Sequence, residues 1–450
     1  MHTIGFDIGT TTLSAVVVNS GDGTVLHAVT VPSEPFLSGF APYARVQDAT
    51  AILDRAVSMI DELCDAFAPI AAIGITGQMH GIVYLDKDGA PLGPLYTWQD
   101  QRAAQPLANG ETTLARIRAC TGYTISAGYG LATHTHAVLE GTVPAGARQL
   151  CTIHDALSMR LCGKKTPLMH ASDAASLGLY DRAAGDFDRN ACKALFSCGI
   201  LPPVSTKTET LGTYRGIPVS LAIGDNQASI LGTVGSADGS VLFNVGTGSQ
   251  VSVICADPSG VKSGEIRPYI DGLSLVCGCS LCGGRALALL EQFFRSYAAL
   301  FGHDEPQYPI IDRLAEEILS LPDPIRFSTS FCGTREDPKK RASIENLSDR
   351  NFTPTDFVGG VMHGMANELL DYYRSFGLPA AEHLYGSGNG IRKSAVLRRL
   401  FEDAMALPMQ IPAHREEAAY GAALFGAAAA SLAPLKTLQA NIRYEQGGCL

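Results

Sequence analysis

Apolar residues fall on alternate positions at the start of the chain, Ile4, Phe6 and Ile8, and a second apolar run, Leu13–Val18, follows the turn around Gly9. Period-two alternation on either side of a short polar turn predicts an antiparallel hairpin, with the GDG at Gly21–Gly23 ending its second strand. The spacing then changes. Residues 50–67 are apolar at helical intervals, and 70–77 (IAAIGITG) form a continuous apolar run of strand length. A hairpin around Asp86–Gly89 leads to TWQDQR at 97–102. The stretch 103–215 is mixed, richer in helix, and looks like an insertion on the first domain. VSLAIG (219–224) is a further buried strand that runs directly into a helix, DNQASILGTV (225–234). Later, 283–301 and 356–377 have amphipathic helical spacing. YGSGNG (385–390) is a strand end with a glycine loop before a helix, and 416–431 is a helix of small, close-packing residues.

The opening hairpin has a second copy. FNVGTGSQVSVIC (243–255) aligns with FDIGTTTLSAVVV (6–18), so that Phe6 meets Phe243, Ile8 meets Val245, Gly9 meets Gly246 and Thr10 meets Thr247. The interval is just over half the chain, which points to a duplicated fold of two related α/β domains, 1–235 and 236–450, with the seam in the Gly/Ser/Asp-rich Gly232–Gly239. Each turn offers backbone N–H groups and hydroxyls with little bulk, which suits a phosphate chain.

Composition narrows the class. A chain of 450 residues, 46% hydrophobic, can bury two sizeable cores. Its formal net charge of −10 argues against nucleic acid or an anionic membrane as partner. The chain lacks an apolar run of bilayer-spanning length and a signal-peptide layout at its start, and its twelve cysteines follow no disulfide framework. A cytoplasmic location is expected.

Two acids stand out. Asp7 lies on the strand before Gly9–Thr12. A carboxylate beside a phosphate site repels the ligand unless a cation stands between them, so Asp7 is the first candidate for hydrated Mg²⁺. The alternative is a strand-end Asp serving its own turn. Asp225 follows a buried strand and opens a helix. It is either the helix N-cap or a general base for an attacking hydroxyl, and the two readings do not exclude each other. Asn226 and Gln227 beside it are candidates for hydrogen bonds to a polyhydroxylated substrate.

His80, between glycines in GQMHG, and Trp98, Asp100 and Arg102 in TWQDQR are candidate walls of a polar sugar pocket, against the plainer reading of a structural histidine. The loop GSGNG (386–390) either lets a planar base lie on the backbone or is an ordinary turn. Cys277, Cys279 and Cys282 form CxCxxC, but without a second ligand cluster they are expected to be packing residues. His134, His136 and His154 are expected to be structural.

The set FDIGTTT, GQMHG, WQDQR, GDNQAS, FNVGTGS, GSGNG and EEAAYGAA, in this order across nearly the whole chain, resembles the FGGY family of carbohydrate kinases. TWQD, the segment TREDPKKRASIENLSDRNFTP (334–354) and the long loop GSGNGIRKS are most similar to the heptulose-acting branch. The resemblance implies two ribonuclease H-like, actin-type domains with an interdomain cleft, and ATP-dependent phosphorylation of the terminal hydroxyl of a ketose. It implies Asp225 as catalytic base and Asp7 on the Mg²⁺ side. Thr10, Thr11, Thr12, Gly246, Thr247 and Gly248 would surround the phosphates, with Gly284, Gly386, Ser387, Gly388 and Asn389 beside the nucleotide. Met79, His80, Asp225 and Asn226 would meet the sugar. A homodimer is compatible with it. The alternatives are a pentulose or polyol kinase, or a chaperone-like ATPase that ignores sugar.

Overall fold

The opening alternation folds as expected into strands β1 (His2–Ile8) and β2 (Thr12–Asn19), paired antiparallel from His2↔Asn19 to Ile8↔Leu13 in the computed structural model. The structure describes residues 1–322, 324–334, 337 and 339–445; positions 335, 336 and 338 of the 334–354 segment therefore lie outside the described residues. Strand β3 (Thr24–Pro32) continues the meander beside β2. The apolar runs become β4 (Ile70–Gly77) and β6 (Ile217–Gly224), with β5 (Thr210–Tyr214) on the outer side of β6. The sheet order is β5-β6-β4-β1-β2-β3, and β6, β4 and β1 are mutually parallel. Strands covered on both faces need no alternation, which is why β4 and β6 read as continuous apolar runs.

Helix α1 (Ala49–Ala66) starts where Asp48 accepts the Ala51 N–H at 3.0 Å, and it buries Ile52, Leu53, Ala56, Ile60 and Leu63. Helices α2 (Ile153–Leu161) and α3 (Ala171–Ser176) lie within the mixed 103–215 stretch, and α4 (Asp225–Thr233) follows β6 without a loop.

The second sheet repeats the plan. Its strands are β7 (Ser240–Val245), β8 (Ser249–Cys255), β9 (Glu265–Pro268), β10 (Ser274–Ser280), β11 (His383–Ser387) and β12 (Met409–Gln410). The order is β9-β10-β8-β7-β11-β12, with β7–β8–β10 antiparallel and β7–β11–β12 parallel. Five consecutive strands of each sheet thus correspond: β3-β2-β1-β4-β6 and β10-β8-β7-β11-β12. Helices α5 (Gly284–Ala299), α6 (Pro354–Ser375), α7 (Gly388–Lys393) and α8 (Ala395–Met405) belong with this sheet. Phe243 of β7 stacks on Phe401 of α8 with ring centroids 4.4 Å apart.

The chain divides into two compact units. The first holds Met1–Gly235, Pro268–Gly272 and His414–Arg443; the second holds Ser236–Arg267 and Leu273–Ala413, with the chain end from Tyr444. The differences from a division at 235/236 are the short Pro268–Gly272 and the segment His414–Arg443 with helix α9 (Glu417–Ala429), both of which return to the first unit. The small residues of α9 explain its return. A Cβ on Gly5 of β1 or Gly74 of β4 would run into the α9 backbone carbonyls of Ala419 and Ala422, so helix and sheet touch backbone to backbone. The Tyr420 hydroxyl anchors the helix further by donating to the Gly23 carbonyl at 3.0 Å. Among the described residues, no helix is long and apolar enough to cross a membrane.

Candidate functional site

In the first unit the candidate chemistry gathers at the carboxyl ends of the three parallel strands. Ile8, Gly77 and Gly224 are register partners, so Asp7, the Gln78–His80 turn and Asp225 all emerge at one edge of the sheet. Ligands of open α/β sheets bind at such an edge. Asp225 is the first residue of α4, and Gly224 takes the N-cap position without a side-chain bond. The N-cap alternative for Asp225 therefore fails. An acid in the first turn is still favoured by the positive end of the helix dipole.

Asp7 is half-buried as a residue, but its Oδ1 is buried and makes no hydrogen bond. Burial first, then the charges of Asp225 and Glu416, push its carboxyl up to about 8. Glu416, immediately before α9, was not foreseen as a neighbour because only the return of that helix brings it to β1. An orphaned carboxylate oxygen repelled by two further carboxylates is a hard, oxygen-only donor set, which fits Mg²⁺.

The Gly9–Thr12 turn is braced from two sides. Thr10 Oγ1 accepts from Trp98 Nε1 at 2.9 Å and donates to Gln78 Oε1 at 3.1 Å, while its carbonyl accepts from Gln47 Nε2 at 2.9 Å. Thr11 and Thr12 are exposed. Trp98 thus reaches the phosphate-type loop itself.

His80 has φ +72°, a strained conformation for a non-glycine residue that costs on the order of 1 kcal/mol or more. Three contacts hold it there. Its N–H donates to Ser176 Oγ at 3.1 Å, its Nδ1 lies 2.7 Å from the Ser176 carbonyl, and its ring stacks on Tyr129 at 4.4 Å. A carbonyl only accepts, so Nδ1 carries the proton and Nε2 is the acceptor in the neutral ring. Met79 is buried against Gly224.

Asp100 and Arg102, expected to face a sugar, instead engage each other. Fully buried Asp100 accepts from Arg102 Nε at 2.7 Å and Nη2 at 2.9 Å, and from the N–H groups of Arg102 and Arg45. The Arg102 guanidinium lies 4.3 Å over the Tyr96 ring. Gln227 is fully buried too, and its Nε2 donates to the Pro268 carbonyl at 2.9 Å. These three brace the site from behind, whereas Asn226 follows Asp225 on α4.

A cluster the sequence did not reveal lies near this edge. His154 Nε2 is 3.0 Å from Asp173 Oδ1, and the ligand-capable atoms of His154, Asp155 and Asp173 lie within 4.8 Å of one another, all buried. Burial and then Asp225 push the Asp173 carboxyl well up; burial and then Asp173 push Asp155 up to about 8. Burial pushes the His154 imidazole down, opposed by Asp155 and Asp225. The HD pair at 154–155 was visible in sequence, but its partner Asp173 was not.

The second unit brings its own three candidate segments together. Within the turn, Gly246 N–H donates to the Gly248 carbonyl at 2.9 Å. The start of α5 then closes on it: Gly284 N–H reaches the Gly246 carbonyl at 2.8 Å, and Arg285 N–H reaches the Thr247 carbonyl at 3.2 Å. Gly388 has φ +82°, and a Cβ there would lie 2.6 Å from the Val245 carbonyl. Gly386 and Ser387 end β11 inside the unit, and Ser387 Oγ accepts from Asn244 Nδ2 at 2.6 Å; Asn389 is exposed. The CxCxxC residues are part of the packing here, with Cys277 buried in β10 and Cys279 Sγ donating to Gln250 Oε1 at 3.2 Å.

Residues 2–232 match the model of the N-terminal domain of the FGGY family of carbohydrate kinases. The chain is 25% identical over 470 residues to the sedoheptulokinase of Mus musculus, covering 94% of this chain and 96% of that protein. It is 27% identical over 448 residues to the xylulose kinase of Streptomyces coelicolor, covering 93% and 86%. Its fold is similar to the crystal structure of a xyloylose kinase from Brucella ovis, with a TM-score of 0.82 at 23% identity over 99% of this chain and 94% of the other.

Proposed function

The chain belongs to the FGGY family of carbohydrate kinases, phosphotransferases with an alcohol as acceptor, and from that premise we propose that it transfers the γ-phosphoryl group of ATP to the terminal hydroxyl of a ketose. Sedoheptulose is the proposed acceptor, giving sedoheptulose 7-phosphate. The observation that carries this reading is the placement of Asp7, His80 and Asp225 at the ends of neighbouring parallel strands. One acid is suited to a cation, the other to a hydroxyl, and an imidazole stands in the turn after the strand between them.

Phosphoryl transfer asks little covalent chemistry of a protein; alignment and charge neutralisation do most of the work. Asp225 accepts the proton of the attacking hydroxyl. His80, Met79 and Asn226 orient the sugar, with Gln227 and the Asp100–Arg102 pair acting through the backbone they brace. Thr10, Thr11 and Thr12 face the transferred phosphoryl group, Trp98 fixing Thr10. In the second unit Gly246, Thr247, Gly248 and Gly284, with Gly386–Asn389, are the proposed nucleotide-binding residues. Asp7 would hold Mg²⁺, which when bound neutralises charge on the phosphate oxygens.

Support for a heptulose over a pentulose is the end-to-end similarity to sedoheptulokinase together with TWQD and GSGNG. A coupled assay across sedoheptulose, xylulose, ribulose, fructose and glycerol tests it. The expected result is at least a tenfold higher kcat/KM for sedoheptulose, about 1.4 kcal/mol of discrimination. A comparable preference for xylulose or glycerol would overturn the substrate, and ATP turnover indifferent to every acceptor would overturn the kinase reading.

A further inference from the structure

We propose that the short helix α3 is the positioning element of the acceptor site: Ser172 sets the backbone that carries Asp225, and Ser176 sets His80. This rests on the kinase reading and names residues that act behind the two groups it uses. Both serines are buried, and both hydroxyls are used twice. Ser172 N–H donates to His170 Nδ1 at 3.2 Å, so that nitrogen is unprotonated and accepts. The Ser172 hydroxyl, 2.9 Å away, therefore donates to the same Nδ1. Its oxygen is then turned to accept the Gly224 N–H at 3.1 Å, one residue before Asp225. Four residues further along, the Ser176 hydroxyl donates to the Asp173 carbonyl at 2.8 Å and its oxygen accepts the His80 N–H. The Ser176 carbonyl also faces His80 Nδ1 at 2.7 Å, which fixes the imidazole's tautomer.

The geometry makes α3 a ruler between base and sugar-orienting residue. Serines at i and i+4 stand on one face of a helix about one turn apart. Each grips a different segment, Ser172 the last residue of β6 and Ser176 the turn after β4. Asp173, between them, is buried with its Oδ1 3.0 Å from His154 Nε2. Gly224 sits at the N-cap, where a backbone N–H has no intrahelical partner, and Ser172 supplies its acceptor; two bonds to Ser176 hold His80 in its strained backbone.

The test uses Ser172→Ala and Ser176→Ala in the full-length enzyme, with Ser172→Cys and Ser176→Cys as shape-preserving variants if either alanine protein fails to fold. Two readouts are taken: steady-state kinetics with the best ketose, and hydrogen exchange of peptides over 77–82 and 219–226. Ser172→Ala should lower kcat by about ten- to a hundredfold with both KM values within about twofold, because a small displacement of a base slows the chemical step. Its exchange should rise at Gly224 and not at His80. Ser176→Ala should raise the ketose KM by about tenfold with kcat and the ATP KM nearly unchanged, and should speed exchange only at His80. Equal losses of kcat and KM in both variants, or exchange that rises everywhere, would reduce α3 to a packing element and overturn the proposal. If wild type phosphorylates no ketose, the kinase reading fails separately, and unaltered exchange at Gly224 and His80 would still overturn the positioning roles.

Discussion

The two units present the same backbone device with opposite electrostatics. In each, the central strand of the sheet ends at a Gly–Thr turn, runs antiparallel to the next strand and parallel to a crossover strand. At the matching position the first unit has Asp7 and the second has Asn244. Asn244 is satisfied locally, its amide donating to Ser387 at 2.6 Å. Asp7 keeps a buried oxygen without a partner and faces the charges of Asp225 and Glu416. A neutral, self-satisfied turn accommodates an anion directly. A turn that collects carboxylates accommodates one only with a cation. The duplication therefore supplies two similar loops, and one substitution divides their labour.

The strongest way to break this comparison is to remove the other acid at the first unit's sheet edge, Asp225. Asp225→Ala should lower kcat by roughly 10²–10⁴-fold, the usual scale of a general base, while the ATP KM stays near wild type. A variant that kept most of its turnover would end the base assignment. The expectation assumes that the second unit binds nucleotide by itself, so an equal loss of ATP affinity would also count against the division of labour.

Exchanging the two matched side chains sharpens the contrast. Asp7→Asn makes the first turn resemble the second. It should cost on the order of 100-fold in activity at limiting Mg²⁺ and shift the Mg²⁺ titration to higher concentration, with partial recovery at saturating metal. Asn244→Asp breaks the bond to Ser387 and places a charge beside the second turn. It should raise the ATP KM about tenfold and leave the Mg²⁺ midpoint in place, since like charges near a phosphate cost affinity without creating a metal site. Identical Mg²⁺ responses in the two variants would show the asymmetry to be without consequence.

How much of this was legible depended on the range of the contacts. The hairpins, the long helices and the strand–helix step at Gly224–Asp225 were readable because period and turn chemistry are local. The membership of α9 was not. Its run of small residues announces close packing but does not say against which sheet, and the answer is backbone contact with Gly5 and Gly74, more than 300 residues earlier. The pairing of Asp100 with Arg102 was hidden for the opposite reason: opposite charges two apart in a loop look like two available ligands until the loop folds them together. Ser172 and Ser176 gave no signal at all. A serine that accepts a distant backbone N–H leaves no periodicity, and both lie in the short, irregular elements of 103–215 where sequence patterns are weakest.

The smallest expected effect comes from titration. The metal-free folded protein holds the Asp7 proton up to about pH 8, whereas an ordinary carboxyl, and hence the unfolded chain, releases it near 3.8. Between those values the folded state binds more protons than the unfolded one, so stability from the neutral carboxyl is complete below about pH 4 and is lost as pH rises to about 8. In the absence of Mg²⁺ the melting temperature of wild type should therefore fall more steeply across that interval than that of Asp7→Asn, whose amide does not titrate. Asp155 and Asp173 are raised as well and contribute the same slope to both proteins, so the difference isolates Asp7. Asn244→Ala should reproduce the wild-type slope, because the second turn has no acid at that position. Added Mg²⁺ should flatten the wild-type curve at its alkaline end and leave Asp7→Asn unmoved. Parallel curves for wild type and Asp7→Asn would mean that the first turn collects no net charge, and the electrostatic difference between the two units would vanish with it.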